Sequence, residues 1–270
     1  MDQDRHFLHS PGRPLLCDHA FVFSVDDRDR VRDHVLELAS ADPRVVAAAA
    51  VGGLADGDGD RWSDLDLTFA VADAVPVAEV LDDWTREVAA ELGGVHLFDL
   101  PAAASIYRVF LLPGCLQVDL SFTPASVFGA RGPRFRLLFG TAVDLPQAAP
   151  SSANDLFGLG VHHAVRARFC IERGRRWQAE YWISGVRDQA LALACRRRGF
   201  DGGHGRGFDE LPPEVLQPFD EALVRSLDEE ELRRALGSAV SGLLRESAEA
   251  AGVAAKVEAH LQELAAGPSE

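Results

Sequence analysis

Asp64 and Asp66 stand one residue apart in the run Asp64-Leu65-Asp66-Leu67-Thr68-Phe69, and Asp119 interrupts a second apolar run, Leu116-Gln117-Val118-Asp119-Leu120-Ser121-Phe122. A carboxylate in a strand-like apolar segment is expensive to desolvate unless something compensates it, and a metal ion is the usual compensation. Strand alternation puts Asp64, Asp66 and Thr68 on one face and Leu65, Leu67 and Phe69 on the other. The two aspartates of the pair are then roughly 6.5–7 Å apart along the chain. With Asp119 on a neighbouring strand, three carboxylates could converge on one or two Mg²⁺ ions, which take oxygen ligands and share their shell with phosphates. Two such ions about 3.5–4 Å apart can hold both the attacking and the leaving oxygen of an in-line displacement. Eleven positions before Asp64 lies the pair Gly52-Gly53, a turn whose backbone N–H groups can come close to a phosphate.

The elements that must position these residues follow from the pattern around them. Asp26 is expected to cap a helix over 27–40, with Val31, Val35, Leu36 and Leu38 as its apolar stripe and Asp42-Pro43 as its stop. Residues 44–51 read as a buried strand, with a helix as the competing reading because four alanines favour one. Residues 54–63 are turn-rich, and Asp56, Asp58 and Asp60 are expected to be solvated there. The clearest strand spans 64–72, and a helix over 76–92 buries Val77, Val80, Leu81, Trp84 and Val88 before Gly93-Gly94 ends it. Further strands are expected near 95–99, 106–112, 116–122 and 136–139, with Pro113-Gly114 joining the middle two.

Strand signals end near Leu145 to Ser152, and helical runs take over at about 153–172, 176–199, 213–226, 228–246 and 248–265. The expected organisation is a domain over 1–150 and an all-helical domain over 151–270. In the second, Trp177, Glu180, Tyr181, Ser184, Arg187 and Asp188 fall along one helical stripe. The stripe has two readings. It faces the carboxylates, with Glu180 as a base or acceptor-binding acid, Arg187 near phosphates and Trp177 as an aromatic wall; or its aromatics pack in the core while Arg and Glu pair locally. His162 and His163 are adjacent, so on a helix they diverge by about 100° and are poor joint metal ligands. Arg196, Arg197 and Arg198 read as solvated helix-end charge, whereas Arg131 and Arg134 flank Gly132-Pro133 in a loop near the expected cleft.

Composition bounds the alternatives. The chain has 270 residues, 47% hydrophobic and 26% charged, as in a soluble globular protein. No stretch reaches the roughly 20 apolar residues of a membrane span, and the charged segment Met1 to His6 lacks the apolar core of a signal peptide, so cytoplasm is the expected location. Cys17, Cys115, Cys170 and Cys195 form no Cys-x-x-Cys pair and read as small buried hydrophobes. A net charge of −15 argues against a broad nucleic-acid surface and is compatible with a cationic small-molecule partner. Lys256 is the single lysine, so any phosphate clamp must use arginine or backbone N–H groups.

The run Val51-Gly52-Gly53-Leu54-Ala55-Asp56-Gly57, followed by Ser63-Asp64-Leu65-Asp66-Leu67 and later Asp119, resembles the signature of the polymerase-β-type nucleotidyltransferase superfamily. Within it, the run is similar to the aminoglycoside and lincosamide nucleotidyltransferases. The resemblance covers about residues 44–124. It implies an α+β fold, with a small mixed β-sheet and flanking helices followed by the helical C-terminal domain. It also implies transfer of a nucleoside monophosphate from ATP or another nucleoside triphosphate, with Mg²⁺, to the hydroxyl of a small molecule such as one of those antibiotics. Asp64 and Asp66 carry over as metal ligands, and Asp119 as the third acid, either a metal ligand or the base for the acceptor. Gly52, Gly53 and Ser63 carry over to the nucleotide side, where Arg187 would join them. Many members have serine where Gly53 stands. Alternatives of the same fold are a catalytically weak nucleotide-binding or protein-interaction module, or a protein- or tRNA-modifying enzyme. Whether a partner subunit in a homodimer completes the site is left open.

Overall fold

The computed structural model describes residues 22–55, 57, 59–146 and 149–266, so Cys17, Asp56 and Asp58 lie outside the described residues. The chain divides into two compact units, Met1–Ala148 and Ala149–Glu270. The first is α+β and the second is all-helical.

In the first unit, six strands form one mixed sheet: β1 (Val45–Val51), β2 (Leu65–Val71), β3 (Val95–Ala102), β4 (Ser105–Leu112), β5 (Leu116–Pro124) and β6 (Phe135–Phe139). The order is β3-β4-β5-β2-β1-β6, with β2 and β5 parallel and every other pairing antiparallel. Two helices, α1 (Val25–Ala41) and α2 (Val77–Leu92), pack on one face. Val31, Val35 and Ala39 of α1, with Val80, Leu81, Trp84 and Val88 of α2, meet Leu65, Leu67, Phe69, Leu120 and Phe122 there. Phe69, Trp84 and Phe122 form an aromatic cluster with ring centroids 5.0–5.3 Å apart. The alanine-rich segment is a strand, not a helix: Ala47, Ala48, Ala49 and Ala50 are buried between β2 and β6, where pairing and burial override alanine's helix preference.

The cap of α1 corrects the sequence expectation. Ser24, not Asp26, is the N-cap: its hydroxyl accepts from the Asp27 N–H at 3.1 Å, and Asp27 accepts the Ser24 N–H at 2.9 Å. This reciprocal capping box satisfies two otherwise unpaired donors, which Asp26 in the first turn cannot do. Cys115 is also a correction, being exposed at the tight β4–β5 turn, whereas Cys170 and Cys195 are buried.

The second unit comprises α3 (Ala153–Glu172), α4 (Arg176–Arg198), α5 (Pro213–Asp220), α6 (Glu229–Arg245) and α7 (Ala251–Ala266). Its core includes Phe157, Ile183, Val186, Leu193, Leu232, Leu236 and Leu243. The expected helix over 213–226 stops at Asp220, where Pro218 has already removed one ladder donor. The chain then leaves the helix, and the Arg225 N–H donates to Glu231 Oε1 at 2.9 Å. Arg197 and Arg198 are not simply solvated: both donate to Glu246, which is buried. Among the described residues, no helix is long and apolar enough to cross a membrane.

Candidate metal centre

Parallel pairing of β2 with β5 places Asp66 directly opposite Asp119 and Thr68 opposite Ser121. The register is held from the other face, where Leu65, Leu67, Val118 and Leu120 are fully buried against α1 and α2. A slip by one residue would exchange those leucines for the acids, so the core itself aligns the carboxylates. One carboxylate oxygen from each of Asp64, Asp66 and Asp119 lies within 4.8 Å of the others.

The cluster is electrostatically strained without a cation. Burial, then the charges of Asp64 and Asp119, push the Asp66 carboxyl up to about 7. Asp119 is also raised, first by burial and then by Asp64, although the Gln117 amide opposes the shift by donating to its two oxygens at 3.1 and 3.3 Å. Three converging oxygen donors whose mutual repulsion a divalent ion would relieve suit Mg²⁺ chemically.

The glycine turn abuts this cluster. β1 ends at Val51, and Gly52–Leu54 make a short 3₁₀ turn closed by the Ala55 N–H donating to the Gly52 carbonyl at 3.2 Å. Gly52 has φ +63°, and a Cβ there would sit 2.4 Å from Asp66 Oδ2. Both the backbone conformation and the contact exclude a larger residue. Ser63 approaches Gly53, since a Cβ on Gly53 would lie 3.9 Å from Ser63 Oγ. The Ser63 hydroxyl donates to Asp60 Oδ1 at 3.1 Å, and the Trp62 N–H donates to the same oxygen at 2.8 Å. Exposed Asp60 thus organises the turn leading into Asp64.

Two arginines missing from the sequence expectations brace these loops. Arg28, buried on α1, donates to the backbone carbonyls of Asp60 and Ser63 at 2.5 and 3.4 Å. Arg136 on β6 donates to the Leu54 carbonyl at 3.2 Å. Nothing in the local pattern marks Arg28 as buried; it is one of several arginines in an acidic helix. Arg131 and Arg134 line a recess on the carboxylate-bearing face of the sheet.

The remaining expected residues belong to the second unit. Glu180 and Arg187 sit on α4, where Glu180 Oε1 accepts from Ser184 Oγ at 2.8 Å and Arg187 pairs with its neighbour Asp188 at 2.8 Å. Trp177 and Tyr181 on the same stripe are 78% and 66% exposed, so these aromatics do not pack in the core. Trp182, off that stripe, packs against His163 with tilted rings 5.1 Å apart and meets His162 edge-on at 6.0 Å. The histidines therefore serve an aromatic contact.

No protein-family model matches this chain, and no curated protein does. Among solved structures, the chain is similar to an aminoglycoside 6-adenyltransferase from Bacillus subtilis, at 11% identity and a TM-score of 0.36, over 89% of this chain and 99% of that one.

Proposed function

We propose that this protein is a Mg²⁺-dependent nucleotidyltransferase that moves a nucleoside monophosphate, AMP from ATP, onto the hydroxyl of a small molecule. The observation that carries the reading is the convergence of Asp64, Asp66 and Asp119 beside the Gly52-Gly53 turn. Asp64, Asp66 and Asp119 would hold the ion. When bound, Mg²⁺ would neutralise charge on the phosphate oxygens. Backbone N–H groups of the Gly52 turn would meet the phosphates, joined by the hydroxyl of Ser63, which lies near Gly53 and donates to Asp60 in the free protein. The acceptor oxygen bonds to the α-phosphorus, the bond from that phosphorus to the bridging oxygen breaks, and pyrophosphate leaves. The acceptor proton passes to a carboxylate, for which Asp119 and Glu180 are the candidates. Asp119 would take the role where the ion leaves one of its oxygens free.

Pyrophosphate release from ATP with Mg²⁺, measured over aminoglycosides, lincosamides and other hydroxylated amines, tests the reading. Acceptor-dependent release that Asp64→Asn/Asp66→Asn loses is the expected result. ATP binding without release for any acceptor would favour a binding module, and absence of ATP binding would overturn the site assignment. Glu180→Gln separates the two bases: unchanged turnover and acceptor binding would remove Glu180 from the mechanism.

A further inference from the structure

Beyond the carboxylates, the same face of the sheet carries a recess of about 160 Å³ whose chemistry the transfer reaction has not used. Its walls include Thr68, Ser105, Tyr107 and Thr123 from β2, β4 and β5, and Phe128 and Arg131 from the segment that covers this part of the sheet. Thr68 lines the recess, is 9% exposed, and its hydroxyl makes no hydrogen bond among the described residues. Ser121, paired in register with both Thr68 and Tyr107, has a buried hydroxyl that is likewise unpartnered. Ser105 and Thr123 bond each other at 2.6 Å, leaving further acceptor capacity on both oxygens. Four hydroxyl-bearing side chains line one recess, and the single buried unpaired hydroxyl of this face among the described residues, Ser121, lies in register beside two of them. Buried hydroxyls are normally satisfied, so this concentration points to a polar ligand.

Size and charge narrow that ligand. A volume near 150 Å³ accommodates one six-membered ring. The hydroxyls both donate and accept, Phe128 and Phe135 add aromatic surface, and the lining contains arginines but no Asp or Glu among the described residues. We infer that the recess binds a single polyhydroxylated ring that is neutral or anionic, not a polyamine. Thr68 follows Asp66 by two residues on one strand face, about 6.5–7 Å away, so a ring seated there lies beside the metal centre. Its role in transfer rests on the proposed activity, whereas its binding does not. The ring comes either from the acceptor or from the ribose of the nucleotide.

Titrations of the full chain with myo-inositol, ribose 5-phosphate, 2-deoxystreptamine and Mg²⁺ with a non-hydrolysable ATP analogue test this, using Thr68→Val and Tyr107→Phe. Thr68→Val keeps the side-chain shape, so the variant should fold, with an unchanged or slightly raised melting temperature. The expected result is binding of inositol or ribose 5-phosphate that Thr68→Val weakens up to about tenfold. An equal loss for the nucleotide analogue would assign the ring to its ribose, and an unchanged nucleotide affinity would assign it to the acceptor. The inference is overturned if neither ring binds, if both variants bind them as the wild type does, or if 2-deoxystreptamine binds more tightly than either. Repeating the ring titration on Asp64→Asn/Asp66→Asn without Mg²⁺ separates the two readings. Ring binding that persists in that variant shows the recess to be independent of the metal centre. A wild type that binds a ring but no nucleotide with Mg²⁺ would keep the recess and remove the transferase, and nucleotide transfer by a wild type that binds neither ring would do the reverse.

Discussion

Asp42 and Asp66 lie in the same unit and are titrated in opposite directions by the two sides of one sheet. On the helix-covered side, Asp42 accepts from Arg44 at 2.8 and 2.9 Å and from Trp84 Nε1 at 3.0 Å, and these bonds, Arg44 foremost, hold its carboxyl down to about 2. On the other face, Asp66 has burial and two like charges for neighbours, and its carboxyl rises to about 7. On the first side Arg44 and Trp84 together satisfy the Asp42 carboxylate. The second gathers three carboxylates, of which Asp119 has only the Gln117 amide to ease it, and a buried Ser121 hydroxyl with no partner among the described residues. That difference separates a surface built for stability from one built for a ligand, because the unmet interactions are the ones a ligand can supply.

The largest expected effect lies on the packed side. Phe69 is fully buried between Trp84 and Phe122, so Phe69→Ala should destabilise the unit by about 3–5 kcal/mol in denaturant unfolding. A loss well under 1 kcal/mol would show that this face is not the stabilising one. Next comes the pH dependence of the open face. The carboxyl of Asp66 is raised above its unfolded value, so its contribution to stability is complete below about pH 4 and is lost as pH rises through about 7, with Asp119 acting in the same direction. Without divalent cation, stability should fall between pH 5 and 8 by on the order of 3 kcal/mol. Mg²⁺ should restore it at pH 8, and Asp66→Asn should flatten both responses. A melting temperature indifferent to pH and to Mg²⁺ in that window would remove the strained cluster.

Asp42 should show the opposite sign. Its depressed carboxyl contributes stability that is present above about pH 4 and lost as pH falls through about 2. Asp42→Asn should cost roughly 2 kcal/mol at pH 7 and little at pH 2, read from thermal melts across that range. Equal costs at both ends would assign the effect to lost packing against Trp84.

Much of this contrast could be read before any coordinates, because it depends on strand alternation. Asp64, Asp66 and Asp119 were legible as acids out of place in apolar strands, and their neighbours Leu65, Leu67 and Leu120 fixed which face they would share. Gly52 was legible as a turn residue, although not the contact with Asp66 that demands it. The cap of α1 was within reach, since Ser24-Val25-Asp26-Asp27 has capping-box spacing, but Asp26 is itself a good cap type and obscured it. Arg28 and the recess were out of reach for a different reason. Both depend on which distant segments meet, the 60–63 turn under α1 and the 127–135 segment over β2, β4 and β5, and nothing in local periodicity encodes those meetings.

The smallest effect is the sharpest test of the contrast. Ser121 is 1% exposed, follows Leu120 on β5, and faces the opposite side of the sheet. Its hydroxyl has been taken from water and given no partner, so removing it relieves a cost of burial and leaves only a small cavity. Ser121→Ala should therefore be neutral or stabilising by up to about 1 kcal/mol in unfolding measurements on the ligand-free protein. Most buried substitutions in a unit of this size destabilise, which makes even a null result informative. If Ser121→Ala instead destabilises by more than about 1 kcal/mol, its hydroxyl already has a partner in the free protein. The open face would then be a second packed surface, and the distinction between the two sides would rest on the carboxylates alone.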